Sequence, residues 1–320
     1  MTSRAVRRWS PHTSGLLIVG SGVVILSFDS LLIRLLARSL PFIDVLFWRG
    51  VGGAIGFSLI AWLVSPRGVW RAFRIIGTDG LLIAVLYSLG NATFVTSVTH
   101  TTVAHALVII AAAPMATAIL AHLILREKAS RRTWVVSIVV AIGVCLVFWA
   151  VPSRGDLVGD LAAVGGALVL SLNLVVLRKA RLVSMIPAYA IGGALTALFS
   201  APYVTRFSLS PREVAFATLV GVVVLPISLS LIMRGPRYLH APDVSLLMLL
   251  ETVPGPMWVL LAFREVPDVQ TLISGSMILG ALAVNTLGPW ARIGTAAPVS
   301  SAQVASQPDH ARGATEQVDQ

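Results

Sequence analysis

Apolar runs of about 20 residues recur along the chain, centred near residues 25, 53, 89, 114, 142, 167, 195, 224, 253 and 280. Short stretches rich in Pro, Gly or charge separate them, for example Ser39-Leu40-Pro41 and Pro152-Ser153-Arg154-Gly155. A helix needs about 20 mostly apolar residues to cross a bilayer, so the pattern predicts ten spanning helices. Arg4, Arg7 and Arg8 ahead of the run at 15–26 imitate a signal peptide. No small-x-small cleavage site follows, and the run is expected to stay as the first helix. From Ala291 onward Ala, Ser, Gln, Pro and Gly prevail, which predicts a disordered tail over 291–320.

The runs also repeat. Leu26-Ser27-Phe28-Asp29-Ser30-Leu31-Leu32-Ile33-Arg34 returns as Leu170-Ser171-Leu172-Asn173-Leu174-Val175-Val176-Leu177-Arg178, with every large apolar position still apolar. A second echo sets Ala113-Pro114 through Arg126-Glu127 against Glu251-Thr252 through Arg264-Glu265. The expected organisation is a short cytoplasmic N-terminus (1–13), two five-helix units (14–151 and 155–290) and the tail (291–320). Five helices is an odd number, so the second unit must enter the membrane in the opposite sense to the first. The fold class predicted is therefore an all-α integral membrane protein of ten transmembrane helices in two inverted repeats, an architecture suited to alternating access around a midplane site.

Composition supports a bilayer as the solvent. Hydrophobic residues make up 56% of the 320 and charged ones only 12%, half the charged share of an ordinary soluble domain. The net charge of +10 would suit nucleic acid if it formed a stripe, but the basic residues lie in small clusters between runs. No nucleic-acid partner is expected. With the N-terminus inside, sixteen Lys and Arg fall in inner connectors and six in outer ones, which puts both termini in the cytoplasm and the chain in the inner membrane. Cys145 has no partner for a disulfide or thiolate site.

Ten helices in two halves, each with a helix ending in Arg-Glu before another apolar helix, resemble the EamA group of drug/metabolite transporters. The stretches that carry the likeness are 102–148 and 243–287, together with Pro41 and Phe47-Trp48-Arg49-Gly50, which looks like the family's second helix. The likeness covers about 14–290. It implies the ten-helix fold and secondary transport, and leaves the solute open. In the family a proline commonly follows the ninth-helix Glu, whereas here Thr252 does and Pro254 comes later.

Polar side chains at bilayer depth cost roughly 2.5–3.5 kcal/mol each when ionised, so they are candidates for function. Glu251 leads, since it sits mid-run with Pro254-Gly255-Pro256 after it. Those prolines deprive the carbonyls of Leu250 and Thr252 of their usual donors, and such backbone is tolerated at depth only inside protein or beside a cavity. A carboxyl group there suits proton carriage or an ammonium ligand. Asp29 and Arg49 lie ten residues either side of the Ser39 turn on consecutive helices. At 1.5 Å per residue they reach one depth and are placed to pair. Counting from Pro41 and Pro187 puts Leu195 opposite Arg49, so the second unit lacks both charges. Asn91 and Asn173 offer amide hydrogen bonds to a zwitterion or hydroxylated solute, or join helices. His105 and Asp243 hold equivalent places near the starts of helices four and nine. Tyr87, Trp48 and Trp258 offer faces for a planar solute or pack. Gly52 and Gly56 form a small-residue face, and Glu127 and Glu265 are expected to cap the following helices.

No phosphate loop, His-Glu-x-x-His or Gly-x-Ser-x-Gly occurs, so neither an ATP motor nor the usual membrane hydrolase is indicated. No cofactor and no metal are expected. The leading function is secondary active transport of a small polar metabolite, in particular proton-coupled export of an amino acid or amine, by a monomer or homodimer. Uptake or exchange of carboxylates is the alternative, because Arg49 favours an anion where Glu251 and Asp29 favour a cation. An intramembrane enzyme acting on a lipid is a minor one.

Overall fold

Prolines and glycines set the helix boundaries. The computed structural model describes residues 11–64, 69–127 and 157–264, with scattered helical positions in 131–143 and 269–280. No strand occurs among them. Residues 1–10 of the expected N-terminal arm, most of the spans centred near 142 and 280, and the tail lie outside the described residues, while 11–13 open the first helix. Among the described residues seven stretches are long and apolar enough to cross a membrane: His12–Ala37, Phe42–Val64, Gly77–His100, Val103–Leu125, Leu157–Lys179, Pro211–Arg237 and Ala241–Phe263.

The first stretch comprises α1 (Pro11–Leu26) and α2 (Phe28–Ala37), joined at Ser27. Next come α3 (Phe42–Val64), the short α4 (Val69–Ile75) and α5 (Gly77–His100). Helix α4 falls within a connector that hydropathy alone does not mark as helical, and Phe73 anchors it to the core. Then follow α6 (Val103–Ile110), α7 (Ala113–Leu125) and α8 (Leu157–Lys179). The seventh apolar run forms only α9 (Ile186–Ser200), 15 residues with Pro187 at its start. Pro202 turns the chain into a 3₁₀ turn after it. The next span is α10 (Pro211–Thr218), a π-turn over Leu219–Val224 and α11 (Leu225–Ile232). The last is α12 (Ala241–Met248), a 3₁₀ turn over Leu249–Thr252 and α13 (Pro254–Phe263).

Helix pairs pack on glycine. A Cβ on Gly50 would lie 2.6 Å from Ala197 N, and one on Gly193 would lie 2.5 Å from Ala54 N. Gly52 meets Gly221 as closely, and Gly56 faces Pro226. Such close backbone approach is what holds helices together where the solvent is as apolar as the side chains. The α3–α9 contacts are reciprocal: Gly50 with Ala197 mirrors Gly193 with Ala54.

Two apolar clusters flank the middle of the bundle. One gathers Val23, Leu26, Phe57, Tyr87 and Leu247, and the other Leu32, Leu46, Val95, Leu107 and Val259. The first span, α3, α5 and the α12–α13 stretch each pass from one cluster to the other. Asp29, Arg49, Asn91 and Glu251 sit at those four crossings.

Candidate substrate site

Interrupted helices build the site. At Ser27 the first helix breaks, and its hydroxyl donates to Val24 O at 2.7 Å. Asp29 follows in the first turn of α2. Arg49 on α3 donates from Nη1 to Asp29 Oδ1 at 2.6 Å and from Nε to Asn91 Oδ1 on α5 at 2.7 Å. The Asp29 and Arg49 side chains are 2% and 4% exposed, so the pair is removed from solvent. Phe94 adds a ring 5.6 Å from the guanidinium carbon, within cation–π range.

Across the site Tyr189 on α9 donates to Asn173 Oδ1 on α8 at 2.7 Å. Its ring packs against Tyr87 (centroids 4.9 Å) and Phe57 (5.3 Å). Glu251 lies in the 3₁₀ turn between α12 and α13 and is buried. Thr252 stabilises that turn by donating to Leu249 O at 2.7 Å. Glu251 Oε1 accepts no hydrogen bond, and Asn91 Nδ2 donates none. Leaving a buried polar atom unmatched costs about 1–3 kcal/mol, more for a charged group, so each invites a ligand.

Asp29, Arg49, Asn91, Asn173, Tyr87, Tyr189 and Glu251 all line one cavity of about 160 Å³, whose remaining wall is largely apolar. Two of the expected site residues stand elsewhere. His105 Nε2 lies 3.2 Å from Asp160 Oδ1, away from the cavity wall. Trp258 stacks on Phe28 at 4.7 Å and donates to Ser27 Oγ at 3.1 Å, so it braces the first break. Trp48 packs edge-on against Phe47. Glu127, expected to cap a helix, accepts from Arg178 Nε at 3.0 Å, and Glu265 lies outside the described residues. Among the described residues no group of three His, Cys, Asp or Glu gathers as a metal site would require.

A crystal structure of a protein superposes with a TM-score of 0.66 over 86% of this chain and 98% of the other, at 19% identity. That likeness concerns the fold alone. No curated protein matches the chain. Residues 13–149 match the EamA-like transporter family. This stretch is similar to that family, and the rest of the chain lies outside the match. Together with the seven apolar helical stretches, the match supports a multi-pass membrane protein.

Three features of this site escaped sequence reasoning. Tyr189 and Phe94 line or flank the cavity, and nothing separates them in sequence from packing aromatics. The third is a break between α6 and α7 at Ala111-Ala112. Pro114 at the start of α7 signals it, just as Pro254 signals the break beside Glu251. Ser171 on α8 donates to Ala113 O at 2.9 Å, and Thr117 donates to the same carbonyl.

Proposed function

We propose that the chain is a proton-coupled exporter of a small amine or amino acid, built of ten spans in two inverted five-helix halves. The packing supports the inverted pairing: α5 lies on α8 and α1 on α11, while α3 and α9 cross each other reciprocally. The helix ends agree, since α7 and α13 both close on a left-handed arginine, Arg126 (φ 54°) and Arg264 (φ 55°), each followed by Glu.

One observation favours a cation over a carboxylate. Arg49 is engaged by Asp29 and Asn91, whereas Glu251 Oε1 faces the same cavity without a partner. A carboxylate solute would have to displace Asp29, while an ammonium group or a proton finds Glu251 open. The two compete for one carboxyl group, so binding of either expels the other. That competition yields one-for-one exchange, and an inward proton gradient then drives the amine out. Under this topology both termini face the cytoplasm.

A thermal-shift screen of the purified protein against a metabolite panel tests the solute class, since a ligand that binds only the folded state raises Tm. Amines and amino acids are expected to stabilise, and simple carboxylates are not. Stabilisation by carboxylates alone would move the reading to an anion carrier.

A further inference from the structure

At the end of the bundle where α8 and α11 finish, Arg181, Arg234 and Arg237 border one recess of about 220 Å³. No carboxylate borders it. The nearby acids are already engaged, Glu127 with Arg178 and Asp79 with Lys179. Among the described residues none of the three arginines has an ion-pair partner. Ser230 lines the same recess from α11, is 5% exposed, and its Oγ has no hydrogen-bond partner. Ser228, two residues earlier, bonds to Leu225 O instead. A recess holding three positive charges and an unmatched buried hydroxyl is incomplete without an anion.

The surroundings say which anion. Val64 on the recess wall is 54% exposed and Leu182, next to Arg181, is 92% exposed. Apolar side chains so open beside a cationic recess fit a position against acyl chains. We propose that this recess holds the phosphodiester headgroup of an anionic membrane lipid. Arginine forks match phosphate oxygens in pairs, and Ser230 adds a neutral donor from below. Basic recesses between spanning helices on the cytoplasmic side suit such headgroups. The inner connectors by the charge count include all three arginines. Because α8 also carries Arg178, which donates to Pro236 O and Leu239 O, a lipid here braces the end of the bundle where α8 meets the connector before α12.

Native mass spectrometry and thermal shift on the full chain in detergent test the proposal with three probes: phosphatidylglycerol, phosphatidylcholine and inorganic phosphate. Phosphatidylglycerol is expected to bind and raise Tm, and the other two are not. Arg181→Gln, Arg234→Gln and Arg237→Gln should each weaken phosphatidylglycerol binding roughly fivefold. Ser230→Ala should weaken it too, and Arg212→Gln, in the first turn of α10 at the far end of that span from the recess, should leave it unchanged. The four single variants remove surface charge or one hydroxyl, so folding is monitored by a monodisperse elution profile. Equal binding of phosphatidylcholine, or wild-type binding by all four variants, overturns the site. Equal stabilisation by inorganic phosphate overturns the lipid as its occupant.

Discussion

Arg34 and Arg178, the matching ends of the duplicated segment, make matching bonds in separate parts of the bundle. Arg34 Nη2 donates to Thr101 O at 2.9 Å, and Arg178 Nη1 donates to Leu239 O at 3.2 Å. Thr101 and Leu239 each stand just ahead of the broken helix that borders the cavity. Arg178 makes further bonds to Glu127 (3.0 Å) and Pro236 O (2.6 Å). Under the alternating access proposed above, the two would serve as latches, one opening in each half of the cycle.

Breaking one latch should bias the transporter toward the other closed state. A charged hydrogen bond is worth about 1.5–3 kcal/mol, enough to shift the equilibrium roughly tenfold or more. In a Cys145→Ala background, Ser245→Cys supplies a reporter on the cavity wall. Arg34→Gln is expected to raise its labelling by an impermeant maleimide from outside, and Arg178→Gln to lower it. Equal labelling in the two variants would rule the latches out.

The Asp29–Arg49 pair should behave as one unit. Removing either partner alone leaves a buried charge, at a cost of about 3–5 kcal/mol. Asp29→Ala and Arg49→Met are each expected to lower Tm sharply, and the double variant to recover most of the loss. A double-mutant cycle by thermal unfolding measures the coupling.

How far these residues could be read in advance depends on distance along the chain. Pairing of Asp29 with Arg49 follows from rise per residue on two consecutive antiparallel helices, and needs no tertiary knowledge. Asn91 as the second acceptor for Arg49 needs the place of α5, which hydropathy does not give. Tyr189 and Asn173, 16 residues apart on consecutive helices, satisfy the same rule, but an uncharged tyrosine gives nothing in sequence to single it out as a partner. The span pattern was legible because membrane thickness fixes run length. Only α9, shortened by prolines at both ends, falls below it among the described runs.

The α3–α9 crossing predicts a sharp contrast between glycines. Gly193→Ala puts a methyl 2.5 Å from Ala54 N, and the overpacking is expected to cost on the order of 1–3 kcal/mol. A Cβ on Gly20 would meet nothing within 4 Å, so Gly20→Ala should be neutral or gain up to about 1 kcal/mol of helix propensity. Yield and Tm of the two variants in detergent provide the check.

His240, in the connector before α12, responds to pH. Asp243, with Oδ2 3.6 Å from Nδ1, is the main influence and holds the imidazole above its usual range. The folded state therefore binds the proton more tightly than the unfolded chain. This contribution to stability is complete below the ordinary value of about 6.5 and fades as pH rises through the raised one. The Tm difference between wild type and Asp243→Asn should be larger at acid pH than at alkaline pH. An unchanged difference across that range would contradict it.

Glu251 carries the central claim, and Glu251→Gln tests it with little change in shape. The variant and the wild type are reconstituted in liposomes, and flux of a stabilising amine is measured with and without an imposed pH gradient. Glu251→Gln is expected to insert and unfold like the wild type but to lose the gradient-driven flux. Gradient-driven flux equal to that of the wild type would contradict the claim and take Glu251 out of the mechanism.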